Sequence, residues 1–385
     1  MLKQYSLLVI GNPYDGHVIR FICSLKRINP NIRLDVFGER QPDRELSVEL
    51  KQAVNNIYLT GYSLYFKNVK GISLFENTIK LCHSFHALLK NERYDIVNIQ
   101  YPTFADRFLL NDLSKIANKI VLTPWGSDVY RISKYQRKVI KKLYDRADYV
   151  TGNGLRFTKD FMRIYNIPNE KFQCLSLGNE DIDFFVDNRV FFDTNKAKEH
   201  LKINGHYVIT CGYNGSPAQK HFEMIDAIFN AKSKLPDNLL LLFPFTYAGS
   251  VEYRAQVKNK VREKGFKAYY CEKYLDLKHL LILRQATDMF IHIQTTDANN
   301  GSLKQYVWLD KNVINGGWLE YDDIEIGNYK PYYVTPNIES LSETIVKAYQ
   351  QGPIAVKTEI KTVIEHYGYK YLAPRWNVFF EGIAK

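Results

Sequence analysis

Short apolar runs alternate along this chain with longer stretches in which apolar positions recur every three or four residues. LLVI (7–10) leads through a glycine-bearing loop (11–16) into a helical period over 17–28, and a second apolar run follows at 33–37. The alternation returns with a helical stretch at 74–90, the strand-like DIVNIQY (95–101), a helix near 106–117 and IVLTPW (120–125). SKYQRKVIKKLYDRA (133–147) then reads as a basic helix, and YVTGNG (149–154) as a strand running into a turn. After a polar, charged stretch at 187–204 a second series begins. Its strands fall at 207–213, 239–245, 268–272, 288–295 and 312–315, with helices from about 221, at 251–264, at 276–286, after 301 and near 339–350.

Strand–helix alternation predicts parallel sheets with helices on both faces. The break near 188 predicts two of them. The expected fold class is α/β, as two Rossmann-like doubly wound domains facing across a cleft: 1–188, 189–365, and a terminal helical segment at 366–385 crossing back to the first. Such sheets bind ligands beyond the carboxyl ends of their strands. The loops to inspect are therefore 11–17, 102–106, 125–131, 152–158, 213–221, 245–250, 272–276 and 295–302.

A length of 385 residues agrees with two domains, and 45% hydrophobic with 24% charged residues is the balance of a folded chain. No apolar stretch reaches the ~20 residues of a membrane span, NLLLLFPF (238–245) coming nearest. The N-terminal segment reads as a first strand and not as a signal peptide. Cys23, Cys82, Cys174, Cys211 and Cys271 are scattered without a CxxC pair, so they are expected to be reduced packing residues of a cytosolic protein. The net charge of +11 favours an anionic partner. Nucleic acid is disfavoured, because the 28 tyrosines are spread over the chain and not interleaved with basic residues on one surface.

Two loops carry candidate chemistry. In CGYNGSPAQKHFEMIDAIFNAK (211–232), Gly212 and Gly215 allow close backbone approach, and Lys220 and His221 stand at a helix start, where free amides favour an anion. The Gly-Lys-Ser/Thr ending of a Walker loop is absent. In TTDANNGSLKQYVWLDKNVING (295–316), Asn299, Asn300 and Gly301 form a turn, Ser302 is the expected N-cap, and the amides through Leu303 would face a diphosphate. Asp297 precedes that turn, and Gln305 lies on the first turn of the helix, within reach of a ribose hydroxyl.

Asp297 and Gln305, eight residues apart before the strand in LDKNVIN, resemble the paired-carboxylate pattern of GT-B glycosyltransferases. GYNGSPAQKHFEMIDAI and FPFTYAGSVEYRAQV resemble segments of the 4-acetamidofucosyl (Fuc4NAc) transferase family of surface-glycan assembly, with DANNGSL standing for its RQQG-x-G. The first half is similar to the broader retaining group: GNPYDGHVIRFICSLKR matches the first loop, VLTPWGSDVYR the HG-x-D segment with Trp125 in place of histidine, and 149–185 the series V-x-x-S…IP-x-x-K…GVD…F.

The resemblance implies transfer of a sugar from a nucleotide diphosphate donor to a hydroxyl on a lipid-linked or surface glycan. It implies no cofactor and no metal, in keeping with the lack of a DxD motif in a suitable loop. By it Asn214, Ser216, His221, Glu223, Thr246 and Tyr247 face the donor. Lys220 and the amides around Gly301–Leu303 would stabilise the leaving diphosphate, Asp297 and Asn299 orient the sugar, and Gln305 grip the ribose. The acceptor is expected near His17, Asp128 and Tyr130, with His17 or Asp128 as base. Lys134, Arg137, Lys138, Lys141, Lys142 and Arg146 offer a face for anionic headgroups at the inner side of a membrane, worth about 1 kcal/mol per charge, and LYFKNVKGISLF (64–75) a shallow insertion. The substitutions at 297, 305 and 125 also fit a chain that has lost catalysis and serves as a binding subunit.

Overall fold

The computed structural model describes residues 4–61, 70–152, 154–188, 193–297 and 300–384. It divides into two units, Met1–Glu180 with His366–Lys385, and Asp181–Glu365.

The first unit is built on seven parallel strands: β1 (Ser6–Ile10), β2 (Arg33–Gly38), β3 (Asn56–Leu59), β4 (Tyr94–Gln100), β5 (Ala117–Thr123), β6 (Tyr149–Thr151) and β7 (Phe172–Gln173). They lie in the order β3-β2-β1-β4-β5-β6-β7. The order reverses between β1 and β4, so the chain leaves these neighbouring strands in opposite directions and opens a crevice at their carboxyl ends. Leu7 and Val9 of β1 pack on Phe21, Ile22 and Leu25 of the helix Gly16–Ile28. The terminal helix Tyr369–Ile383 adds Trp376 and Phe380 to this core, with Phe21 edge-on to Trp376 at 5.1 Å. Burial of each such ring contributes roughly 1.5–3 kcal/mol. The Trp376 indole N–H donates to Ser176 O, and the Tyr5 hydroxyl to Asn377, so the polar atoms carried inward are satisfied.

The second unit repeats the plan with six parallel strands: β8 (Tyr207–Cys211), β9 (Leu239–Phe243), β10 (Lys267–Tyr270), β11 (Met289–His292), β12 (Asn312–Gly316) and β13 (Tyr333–Thr335), in the order β10-β9-β8-β11-β12-β13. Here the reversal falls between β8 and β11.

The stretch read as a polar connection differs from expectation. Helices cover Glu180–Asn188 and Thr194–His200, and Ile182 and Phe185 sit in the core of the second unit, so the division falls at Asp181 and not at 188. Strands β3, β7 and β13 are too short and too mixed in polarity to stand out as apolar runs. Of the cysteines, Cys211 and Cys271 are buried as expected, whereas Cys174 is exposed.

Candidate functional site

In the second unit the loops after β8, β9 and β11 are tied into one rim at the reversal point. Gly215 N–H donates to Tyr247 O at 2.9 Å, and Thr295 N–H to Ala218 O at 3.0 Å. Side chains reinforce the second tie: buried Gln219 Nε2 and the half-buried Tyr213 hydroxyl both donate to Gln294 Oε1, at 3.0 and 3.1 Å, while the Trp318 indole N–H donates to Gln294 O. The first tie depends on glycine. A Cβ on Gly249, whose φ is +71°, would lie 1.9 Å from Gly215 O, and one on Gly215 would lie 2.6 Å from Ala248 O. The two early loops therefore meet backbone to backbone.

At the end of the first loop, Asn214 Oδ1 accepts from Ser216 N–H and Ser216 Oγ from Ala218 N–H, folding Pro217–Gln219 into a single 3₁₀ turn. Lys220 follows in the left-handed region, φ +62°, directly before the helix His221–Ala231. A lysine there is uncommon and costs about 1 kcal/mol. Its ammonium lies 5.1 Å from the Trp318 ring centroid and has no carboxylate partner among the described residues. Lys220 thus directly precedes a helix N-terminus, whose dipole and first amides favour an anion. Glu223 is half-buried on the first turn of the helix, Thr246 is half-buried, and Tyr247 is exposed at the rim.

Several expected ligand contacts are redirected. His221 is fully buried among Phe243, Phe245 and Tyr253, with Nδ1 paired to the Tyr253 hydroxyl at 3.0 Å; burial lowers its pKa to about 4, so it is a neutral packing group. Ser302 is not the N-cap. Asn300 is, accepting Leu303 N–H at 2.8 Å, so the helix begins at Gly301 and the Leu303 amide is already bonded. Ser302 Oγ instead accepts from the buried Arg284 guanidinium at 2.9 Å. Gln305 is a buried internal brace: its Oε1 accepts from Arg284 Nε at 3.0 Å and its Nε2 donates to Asp181 at 3.2 Å, which turns the amide to the interior. Asn299 lies outside the described residues.

Asp297 is held by neighbours that the sequence did not single out. The Tyr321 hydroxyl donates to its Oδ2 at 2.6 Å, and His292 Nε2 lies 3.3 Å from the same oxygen and 2.9 Å from Tyr321. Burial alone would raise the pKa of this carboxyl, but the hydrogen bonds and charge of His292 and the Tyr321 bond outweigh it and keep it below the usual range. The detectable signals were a histidine inside the apolar MFIHIQT and an arginine inside LLILRQA. Buried polar residues in apolar runs have partners, though sequence does not say which.

In the first unit the reversal point is a cavity of about 420 Å³, within the range of small-molecule sites. Gly11, Asn12 and Asp15 from the first loop, Tyr101, Thr103 and Asp106 after β4, and Trp125 after β5 line it, together with Lys80. The expected loops do converge within this unit. Trp125 is fixed from three sides: its Nε1 donates to Gln100 Oε1 at 3.1 Å, and its ring meets His17 at 5.3 Å and Tyr101 at 5.4 Å, both edge to face. Gln100 in turn donates to Asn98, and Asn98 to Thr123, a buried chain that sets the orientation of the indole.

His17 is exposed beside Trp125, with its backbone N–H on the capping carboxylate of Asp15. Asp128 is not on the loop surface. Its Oδ1 accepts from the amides of Trp125 (3.0 Å) and Gly126 (2.7 Å), and burial pushes its pKa up to about 7. It closes the turn that carries Trp125. Tyr130 is tied to Asp160 at 3.0 Å. On the basic helix Lys134–Arg146, Arg137 turns inward and donates to Val129 O, and Lys141 pairs with Asp145, which leaves Lys134, Lys138, Lys142 and Arg146 exposed. Of the insertion stretch, 64–69 lies outside the described residues. No helix among the described residues is long and apolar enough to cross a membrane.

Residues 43–153 match the family model described as glycosyl transferase 4-like. Among solved structures, sucrose-phosphate synthase from Thermosynechococcus elongatus superposes with TM-score 0.71 at 14% identity over 98% of each chain. A glycosyltransferase from Rickettsia africae gives 0.71 at 14% over 100% of this chain and 99% of that one. Anabaena HepE, in complex with UDP and glucose, gives 0.69 at 13% over 98% and 100%. The fold is GT-B. At these identities the likeness concerns the fold, and among curated proteins none matches the chain in sequence.

Proposed function

We propose that the chain is a glycosyltransferase that moves a sugar from a nucleoside diphosphate sugar to a hydroxyl acceptor. The observation that carries the reading is Lys220, an ammonium without a carboxylate partner among the described residues, held in a costly backbone conformation at a helix N-terminus on the glycine-tied rim. Departure of a nucleoside diphosphate concentrates negative charge, and preorganised donors at that point lower the barrier. Lys220 and the first amides of the helix His221–Ala231 would meet the diphosphate. Asp297, kept anionic by Tyr321 and His292, would orient the sugar, with Tyr247 and Thr246 beside the nucleotide. The match of 43–153 to the glycosyl transferase 4-like family and the UDP complex of HepE support the reading.

The acceptor hydroxyl would enter through the first-unit cavity, with exposed His17, against the Trp125 ring, as the candidate base. The likeness of the second half to Fuc4NAc transferases supports an acetamido sugar as donor and a lipid-linked or surface glycan as acceptor, with no metal required. Lys134, Lys138 and Lys142, one helical turn apart, would then rest on anionic headgroups. Co-sedimentation with phosphatidylserine vesicles, weakened by Lys138→Glu with Lys142→Glu, checks that part.

The test of the main reading is a thermal-shift and turnover screen with UDP, dTDP, GDP and their sugars. One nucleoside diphosphate at a hundred times its Kd should add about 2.7 kcal/mol of stability. Absence of any shift at millimolar ligand defeats the reading. Binding without hydrolysis or transfer from every donor favours the non-catalytic subunit.

A further inference from the structure

The overall charge of the chain points to anionic ligands, but the first-unit cavity does not share it. Among its described lining residues stand three carboxylates, Asp15, Glu39 and Asp106, and one ammonium, Lys80. Lys80 is already paired with Glu76 at 2.6 Å. Asp106 is buried and accepts from Thr103 N–H and Oγ1, and Asp15 caps its helix through one oxygen. Glu39 is exposed at the rim. A phosphate or carboxylate entering here would face two or three negative groups with no uncommitted cation to receive it among the described residues, and like charges at contact distance repel strongly where water is partly excluded.

The same wall carries a flat apolar group held in one orientation. Trp125 is clamped by Gln100, His17 and Tyr101, Ile10, Val18 and Ile99 line the same cavity, and Gln41 and Asn77 bring amides that can both donate and accept. A rigid aromatic surface with amides and carboxylates around it matches a ring that has apolar C–H faces and hydroxyls at its edge.

We propose that this cavity takes an uncharged pyranose ring of the acceptor against the Trp125 indole and rejects sugars bearing phosphate or carboxylate. This rests on the glycosyltransferase reading and narrows its acceptor to a neutral terminal sugar. It also gives the tryptophan a role as a specificity-determining wall.

The test uses the full chain saturated with UDP and ligand-observed saturation-transfer NMR. The probes are the methyl glycosides of glucose, galactose, mannose and N-acetylglucosamine, with glucose 6-phosphate and glucuronate as charged counterparts. At least one neutral glycoside should bind ten or more times tighter than either charged sugar. Trp125→Phe should weaken it about threefold and Trp125→Ala about tenfold, with UDP affinity unchanged. Glu39→Lys, an exposed change that spares folding, should improve glucose 6-phosphate about fivefold relative to the neutral glycoside. Tighter or equal binding of the charged sugars, no binding by any neutral glycoside while UDP still binds, or a neutral glycoside indifferent to Trp125 would each overturn the proposal. Failure of UDP itself to bind would instead strike the underlying reading.

Discussion

The two units share a sheet plan and a reversal point, yet they equip that point differently. In the first, side chains line an open cavity of about 420 Å³ with an oriented indole, amides and carboxylates. In the second, most polar side chains near the rim are spent on one another, Gln305 on Arg284 and Asp181, Asn300 on Leu303, Gln219 on Gln294. By the proposed reading, what remains for the diphosphate is the start of the helix His221–Ala231 and one lysine. Backbone amides suit a group that all nucleoside diphosphates share, while side-chain walls suit a ligand that must be selected.

The largest effect that would break this contrast is at the glycine contact. Gly249→Ala places a methyl carbon on Gly215 O and a side chain at positive φ, which forces the loops after β8 and β9 apart. A loss of roughly 2–4 kcal/mol is expected, read by urea denaturation, with UDP binding abolished. A mutant as stable as wild type would show that the loops need not touch.

Gln305→Ala comes next. It strips a buried guanidinium of one acceptor and should cost about 1–3 kcal/mol while the affinities for UDP and for uridine each stay within about twofold. A parallel loss of tenfold or more in both would return Gln305 to the ribose.

A smaller effect separates the units by pH. Asp128 in the first has a raised pKa near 7, so between about 4 and 7 the folded state holds a proton that the unfolded state has lost, and stability falls as pH rises through that window. His221 in the second has a lowered pKa near 4, so the unfolded state takes up a proton first as pH drops below about 6.5, and stability falls toward acid. Asp128→Asn should remove the first slope and His221→Asn the second, in stability measured from pH 4 to 8. Unchanged slopes in both variants would contradict these environments.

Much of the architecture was legible because parallel strands buried on both faces are continuous apolar runs, which is how β1, β4, β8 and β9 announced themselves. The loops at the strand ends were legible for the same reason. The side-chain roles were less so. Ser302 and Asn300 are both acceptable caps, and only the start of the helix decides between them. His221 and Gln305 sit at helix positions that face either solvent or core, and the choice depended on Tyr253 and Arg284, residues 32 and 21 positions away. Asp128 has the composition of a catalytic acid but the geometry of a turn clasp. Lys220 had a readable position, before a helix, and a left-handed backbone that no sequence signal announced.

The most direct measurement is isothermal titration of UDP and of uridine into wild type and Lys220→Ala. The account predicts that the substitution weakens UDP at least tenfold, about 1.4 kcal/mol, and leaves uridine within twofold. Equal loss for both ligands, or none for UDP, would contradict a diphosphate held at the head of the helix His221–Ala231.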